Sequence, residues 1–114
     1  MTQLEFIEQI IKEKEAVILD ANDKIWSYAE LPYEETRSSA LLCSILESEG
    51  FTVETGVAEI PTAFVARYVV GTGKPVMGIL GEFDALATLS QKAGCTVKDP
   101  VQNGGSGHGC GHCC

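Results

Sequence analysis

A chain of 114 residues has room for one domain of ordinary size, at roughly 100 to 200 residues per domain, which excludes a two-domain machine. Hydrophobic residues make up 45% and charged residues 21%, with twelve glycines and four prolines, values close to the soluble globular average and unlike a disordered or collagen-like chain. Eight basic against sixteen acidic side chains give a formal charge of −8, which repels phosphate backbones and anionic lipid and argues against nucleic acid and membrane surfaces as partners.

Residues 1–5 carry neither the basic nor the apolar part of a secretory signal, so a cytoplasmic location is expected. The best apolar stretches, 64–70 and 76–80, are strand-sized and far from the roughly 18 residues that span a bilayer. Leu4, Ile7, Ile11 and Ile18, supported by Ile10 and Val17, recur at helical spacing and predict a helix over 3–19. Asp20, Asn22 and Asp23 then offer cap oxygens for a short second turn carrying Ile25, Trp26 and Ala29, with Trp26 as a core anchor and Pro32 as the stop. A third helix is expected from Glu34 and Glu35, whose charges suit a helix amino end, through Leu41, Leu42, Ile45 and Leu46 to Gly50 as its C′ residue.

After Gly50 the period changes. Phe51, Val53 and Thr55 alternate, 62–70 is β-branched and aromatic, and Gly71-Thr72-Gly73-Lys74-Pro75 reads as a hairpin turn. That turn ends like a phosphate-binding loop, but Tyr68 stands where its first glycine belongs and Pro75 replaces the Ser or Thr. A third strand is expected at Val76-Met77-Gly78-Ile79-Leu80, apolar on both faces as in a strand covered by helices on both sides. It runs into Gly81-Glu82-Phe83-Asp84, polar groups at a carboxyl end, where open α/β sheets place their ligands. From 92 to 111 the text is loop-like, without a repeat.

The segment 107–114 holds both histidines and three of the five cysteines. His108, Cys110 and His112 stand two residues apart, so an extended, glycine-freed backbone turns them to one side. Imidazole and thiolate are the ligand types zinc prefers, and histidine also serves manganese, so a metal site is the leading reading. Against it stand a polar tail without function and a redox motif, because Cys110-Gly111-His112-Cys113 is also a C-x-x-C. The redox motif needs a helix beginning at its first cysteine to lower the thiol pKa. Glu82 and Asp84 flank either a metal or proton-transfer site or a solvated strand end. Cys43 and Cys95 read as buried or inert thiols.

Together these residues resemble the di-metal amidohydrolases of the aminoacylase and carboxypeptidase type. The motifs run in the order that family uses: Ile25-Trp26-Ser27-Tyr28-Ala29-Glu30 with Glu34-Glu35-Thr36, Gly50-Phe51-Thr52-Val53, 60–66, Gly81-Glu82-Phe83-Asp84-Ala85-Leu86-Ala87 with Leu89-Ser90-Gln91, and 107–112. The resemblance implies a three-layer α/β/α zinc-peptidase-like catalytic domain, a mixed sheet flanked by helices, of which 1–114 is the truncated amino-terminal part ending at the metal-binding loop 107–112. It places metal ligation on Cys110 and His112, an orienting catalytic role on Asp84, and supporting roles on His108 and Glu82. It also implies two divalent metal ions, zinc or manganese, in the full-length family, of which this chain alone holds at most one, weakly.

The implied reaction is hydrolysis of an amide joining an acyl or aminobenzoyl group to an amino acid, p-aminobenzoyl-glutamate being the closer expectation. The implied partners are a small-molecule amide substrate and a second copy or a partner subunit. Two departures stand out. The family continues after this loop with Asn and an apolar helix, where this chain has Cys113-Cys114, and Thr88 stands where glycine is usual. The family's glutamate pair and remaining histidine ligands lie further on, so the chain alone is expected to be inactive. The competing reading is a small metal-binding or thiol-redox protein acting through its Cys110-Gly111-His112-Cys113-Cys114 tail.

Overall fold

The computed structural model describes all of residues 1–114, in the order helix, helix, strand, 3₁₀ turn, strand, then loop. Helix α1 spans Gln3–Tyr28 and opens with a capping box: the Glu5 N–H donates to Thr2 Oγ1 at 3.1 Å and the Thr2 N–H donates to the Glu5 carboxylate at 2.8 Å. The break predicted after residue 19 does not occur. Asp20 spends its carboxylate on Lys24 one turn later, 2.7 Å away, and the apolar stripe continues through Ala21 and Ile25, so the helix runs on. It stops ahead of Pro32, at Ala29, which takes the left-handed conformation (φ 44°) while its N–H bonds the Ile25 carbonyl. Trp26 is half-buried; the buried anchor of this turn is its neighbour Ile25.

Helix α2 spans Thr36–Ser48 and packs on α1. Its carboxyl end is a Schellman motif, with the Phe51 N–H on the Leu46 carbonyl, the Gly50 N–H on the Glu47 carbonyl, and Gly50 at φ 94° as the sequence predicts. Its amino end begins where predicted, with Glu35 at the N-cap position, but the side-chain cap comes from elsewhere. Neither Glu34 nor Glu35 caps it; the carboxylate of Glu30 does, accepting from the N–H groups of Ser38 (2.7 Å) and Arg37 (3.0 Å).

Strand β1 (Thr52–Thr55) pairs antiparallel with β2 (Phe64–Arg67), with Thr52 opposite Arg67 and Thr55 opposite Phe64. The connection carries a 3₁₀ turn, Val57–Glu59. The architecture is a small α/β unit with two helices and a two-stranded sheet. The third predicted strand is absent. Residues 76–80 form no ladder, and Val76, Met77, Ile79 and Leu80 are 83–97% exposed. Alternation and β-branching specify a strand only where an edge is available to satisfy its backbone groups, and here none pairs with it. Gly71 to Pro75 accordingly turns the chain without making a hairpin.

Few side chains are buried. Ala21 and Ile25 of α1 and Ser38, Ser39 and Cys43 of α2 are buried, as are Thr62 in the turn before β2 and Ala85 and Cys113 in the loops. Cys43 is buried as expected, and burial pushes its thiol above the ordinary cysteine value; Cys95 is half-buried. No helix is long and apolar enough to cross a membrane.

Candidate functional site

The last turn of α1 is the platform on which the site is assembled. A helix end leaves carbonyl lone pairs that the helix does not use, and here the loops take up those of Ala29 and Glu30 just beyond it and the second lone pair of Ile25, whose carbonyl already accepts from the Ala29 N–H. The Ala85 N–H donates to the Glu30 carbonyl at 2.7 Å, the Ser106 hydroxyl to the Ala29 carbonyl, and His108 Nε2–H to the Ile25 carbonyl at 3.0 Å. Leu86 and Gly107 then exchange two backbone hydrogen bonds of 2.8 and 2.9 Å as an isolated antiparallel bridge. This bridge holds the Asp84 segment against the histidine loop, although the two are distant in sequence. Gly107 is required by space: a Cβ there would stand 2.0 Å from the Leu89 carbonyl oxygen.

Three predicted site residues meet across the bridge. His112 Nδ1 lies 2.7 Å from Asp84 Oδ1, and its Nε2 lies 3.2 Å from Glu82 Oε2. Asp84 and His112 are partly buried, while Glu82 is largely exposed. The hydrogen bond that His112 donates to Asp84 holds the imidazole pKa above its ordinary 6.5; burial opposes this, and the charges of Asp84 and Glu82 add to the rise. His108 moves the other way. Burial pushes it below 6.5, and because a carbonyl can only accept, Nε2 carries the proton and Nδ1 is left buried with no partner.

Cys110 is exposed and makes no side-chain hydrogen bond, so the structure does not join it to the His112, Asp84 and Glu82 group. No set of three or more His, Cys, Asp or Glu side chains is gathered to hold a metal ion. The C-x-x-C segment also lacks redox form. Residues 110–114 are turn rather than helix, and burial together with the adjacent Cys114 raises the Cys113 thiol instead of lowering it. Thr88, the residue standing in place of a glycine, adopts φ 63°, a left-handed conformation that is an outlier for a β-branched side chain. The turn at Thr88 thus carries local strain.

Two features escape sequence reasoning. Glu30 contributes both its carbonyl, to Ala85, and its carboxylate, to α2, but its distance of six residues from Thr36 hides it from any capping pattern. Next to the site, Tyr33, Glu35, Thr62, Phe64, Glu82 and Phe83 line an open cleft of about 310 Å³, with Phe64 and Phe83 stacked at 5.9 Å. One carboxylate oxygen of Glu35 is buried there without a partner.

The site is thus a polar loop pinned beyond a helix end, with a histidine held by a carboxylate. The chain is related in sequence to enzymes of the amidohydrolase and carboxypeptidase class. It is 49% identical to one of the subunits of p-aminobenzoyl-glutamate hydrolase from Escherichia coli (strain K12) over 107 residues, 94% of this chain and 22% of that protein. It is 30% identical over 112 residues, 98% of its length, to Thermostable carboxypeptidase 1 and to Thermostable carboxypeptidase 2 of Saccharolobus solfataricus, covering 28% of each. The chain thus spans between 22% and 28% of the length of these curated relatives. No family model matches it, and no solved structure does.

Proposed function

We propose that this chain supplies the histidine-cysteine loop of a metal-dependent amidohydrolase that cleaves an amide bond to an amino acid, with p-aminobenzoyl-glutamate yielding p-aminobenzoate and glutamate. The observation that carries this reading is the 2.7 Å contact between His112 Nδ1 and Asp84, set in a chain 49% identical to a hydrolase of that name. A carboxylate on one imidazole nitrogen fixes the ring and makes the other nitrogen the better ligand. The His112 ring therefore fits a contribution to a metal centre through Nε2, and Cys110, which stands apart from it in this structure, is the second ligand that the resemblance implies. The two do not make a complete centre, since a closed site needs about four donors.

Divalent ions bound there, zinc or manganese, would supply Lewis-acid polarisation of the scissile carbonyl and acidify water. The chain's own residues do the positioning. Asp84 accepts the Nδ1 proton of His112 and orients the ring, while Glu82 is the one exposed carboxylate within reach of Nε2. His108 ties the loop to α1 through the Ile25 carbonyl and keeps its second nitrogen unprotonated.

In the whole protein, residues 76–80 would pair into a mixed sheet under helices, giving the three-layer zinc-peptidase-like domain. The apolar character of both faces of that segment, almost fully exposed in this chain, supports this reading. Assembly with a second copy or with a different chain is supported by the name of the Escherichia coli relative, which makes it one subunit of its enzyme.

A chimera tests the proposal: residues 1–112 replace the matching stretch of the Escherichia coli relative, and hydrolysis of p-aminobenzoyl-glutamate is measured. Activity should survive, fall by several orders of magnitude in Cys110→Ser and His112→Ala, and fall by about tenfold to a hundredfold in Asp84→Asn. Full activity of the His112→Ala chimera would refute the assignment.

A further inference from the structure

The final turn holds a pair of thiols that the hydrolase reading leaves unused. Residues 111–114 close on a hydrogen bond from the Cys114 N–H to the Gly111 carbonyl (3.1 Å), with Gly111 at φ 79°. In an extended chain consecutive side chains point to opposite faces. Here the turn folds two of them together, and Cys113 Sγ and Cys114 Sγ lie 3.9 Å apart as free thiols, one buried and one exposed.

At that separation either thiol can donate a hydrogen bond to the other, and the same distance matches a metal bite. Two metal–sulfur bonds of about 2.3 Å meeting at a tetrahedral angle put their sulfurs roughly 3.8 Å apart. The 3.9 Å pair meets this without rearrangement, whereas joining the sulfurs in a disulfide would require them to close to about 2.05 Å. Thiolate pairs select soft or borderline cations over magnesium and calcium.

We propose that Cys113 and Cys114 form a two-thiolate chelate for a thiophilic divalent cation with a filled d shell, Zn²⁺ or Cd²⁺, separate from the Cys110 and His112 donors. Binding breaks two S–H bonds, forms two metal–sulfur bonds and releases two protons to solvent, with no change of oxidation state. No third donor of the chain is gathered with the pair, so solvent completes the coordination and the site stays open to an incoming ligand.

The test is titration of the 114-residue chain with Cd²⁺, in a phosphine reductant that carries no thiol, following the thiolate-to-cadmium charge-transfer absorption. The parent should bind one ion. Cys114→Ser, at an exposed position that leaves the helix signal intact, should weaken binding by at least about tenfold, and Cys113→Ser should do the same. The double variant Cys110→Ser, His112→Ala should bind cadmium as the parent does. Unchanged affinity in Cys114→Ser overturns the chelate. So does loss of the signal in the Cys110, His112 double variant, which would place the ion on the hydrolase loop. Because the chimera that tests the hydrolase reading ends at residue 112, the two proposals fail independently.

Discussion

Removing the carboxylate of Glu30 should loosen the amino end of α2 and, with it, the platform of the site. The Glu30 side chain is only 8% exposed and accepts from Ser38 N–H, Arg37 N–H and the Thr36 hydroxyl. Loss of an N-cap acceptor costs about 0.5–2 kcal/mol. The Ser38 N–H belongs to a fully buried residue, and orphaning a buried donor costs about 1–3 kcal/mol. The two figures describe overlapping interactions, so Glu30→Ala should destabilise by about 2–3 kcal/mol and Glu30→Gln, which keeps one acceptor, by about half of that. The partly exposed ion pair with Arg37 adds little.

The same contacts set a pH dependence. Burial would raise the Glu30 pKa, but the N–H groups of Ser38 and Arg37 outweigh it and hold the carboxyl below its ordinary 4.5. The stabilisation is therefore fully present above pH 4.5 and is lost as pH falls through the lower folded value. Urea unfolding followed by helix circular dichroism, with amide exchange read at Arg37 and Ser38, measures both effects. An unchanged midpoint and unchanged exchange at Ser38 in Glu30→Ala would show that α2 is capped some other way.

Four further outcomes are expected. Thr88→Gly relieves the left-handed strain at φ 63° and should raise stability by about 1 kcal/mol in the same urea assay; a loss would mean that the Thr88 side chain is held by contacts that offset its backbone. Gly107→Ala should cost about 3 kcal/mol, because the new methyl meets the Leu89 carbonyl, whereas Gly78→Ala, with open space around it, should be neutral. By NMR titration His112 should take up its proton above pH 6.5 and return toward that value in Asp84→Asn, so the ion pair stabilises below pH 6.5 and is lost as pH rises through the higher folded pKa; an unshifted Asp84→Asn titration speaks against the contact. Finally, exposed Val76, Met77, Ile79 and Leu80, with the apolar face of α1, should make the chain self-associate in reducing buffer, and sedimentation of Ile79→Lys should show less of it; a monodisperse parent monomer would count against that expectation.

The elements that sequence exposes here are those whose causes are local. Gly50 ends α2 because its neighbours within five residues supply the whole Schellman motif. The β-branched run before Arg67 makes a strand because β1 lies close by in sequence to pair with it. Where the cause is distant, pattern is silent or misleading. Asp20 and Asn22 look like caps until the stripe through Ala21 and Ile25 finds α2 to pack on, and 76–80 reads as a covered strand although nothing in the chain pairs with it. The approach of Asp84 to His112, 28 residues on, follows from no spacing rule; the family resemblance pointed to both residues, and the Leu86–Gly107 bridge brings them together.

The attachment of the site loop to α1 also fixes the order in which the chain can settle. Glu30 reaches Ser38 across 8 residues, while Ala29 reaches Ser106 across 77 and Ile25 reaches His108 across 83. Loop closure grows with the logarithm of length, so the distant clasps carry about 2 kcal/mol more entropic cost than the helix cap. The paired helices can therefore assemble early from their own contacts, and the glycine-rich loop docks last. By the same arithmetic it is the first part to lift away, through a local opening that leaves the helices intact. The loop that carries His112 can accordingly be remodelled separately from the helices, reseating around whatever it holds without unfolding its foundation.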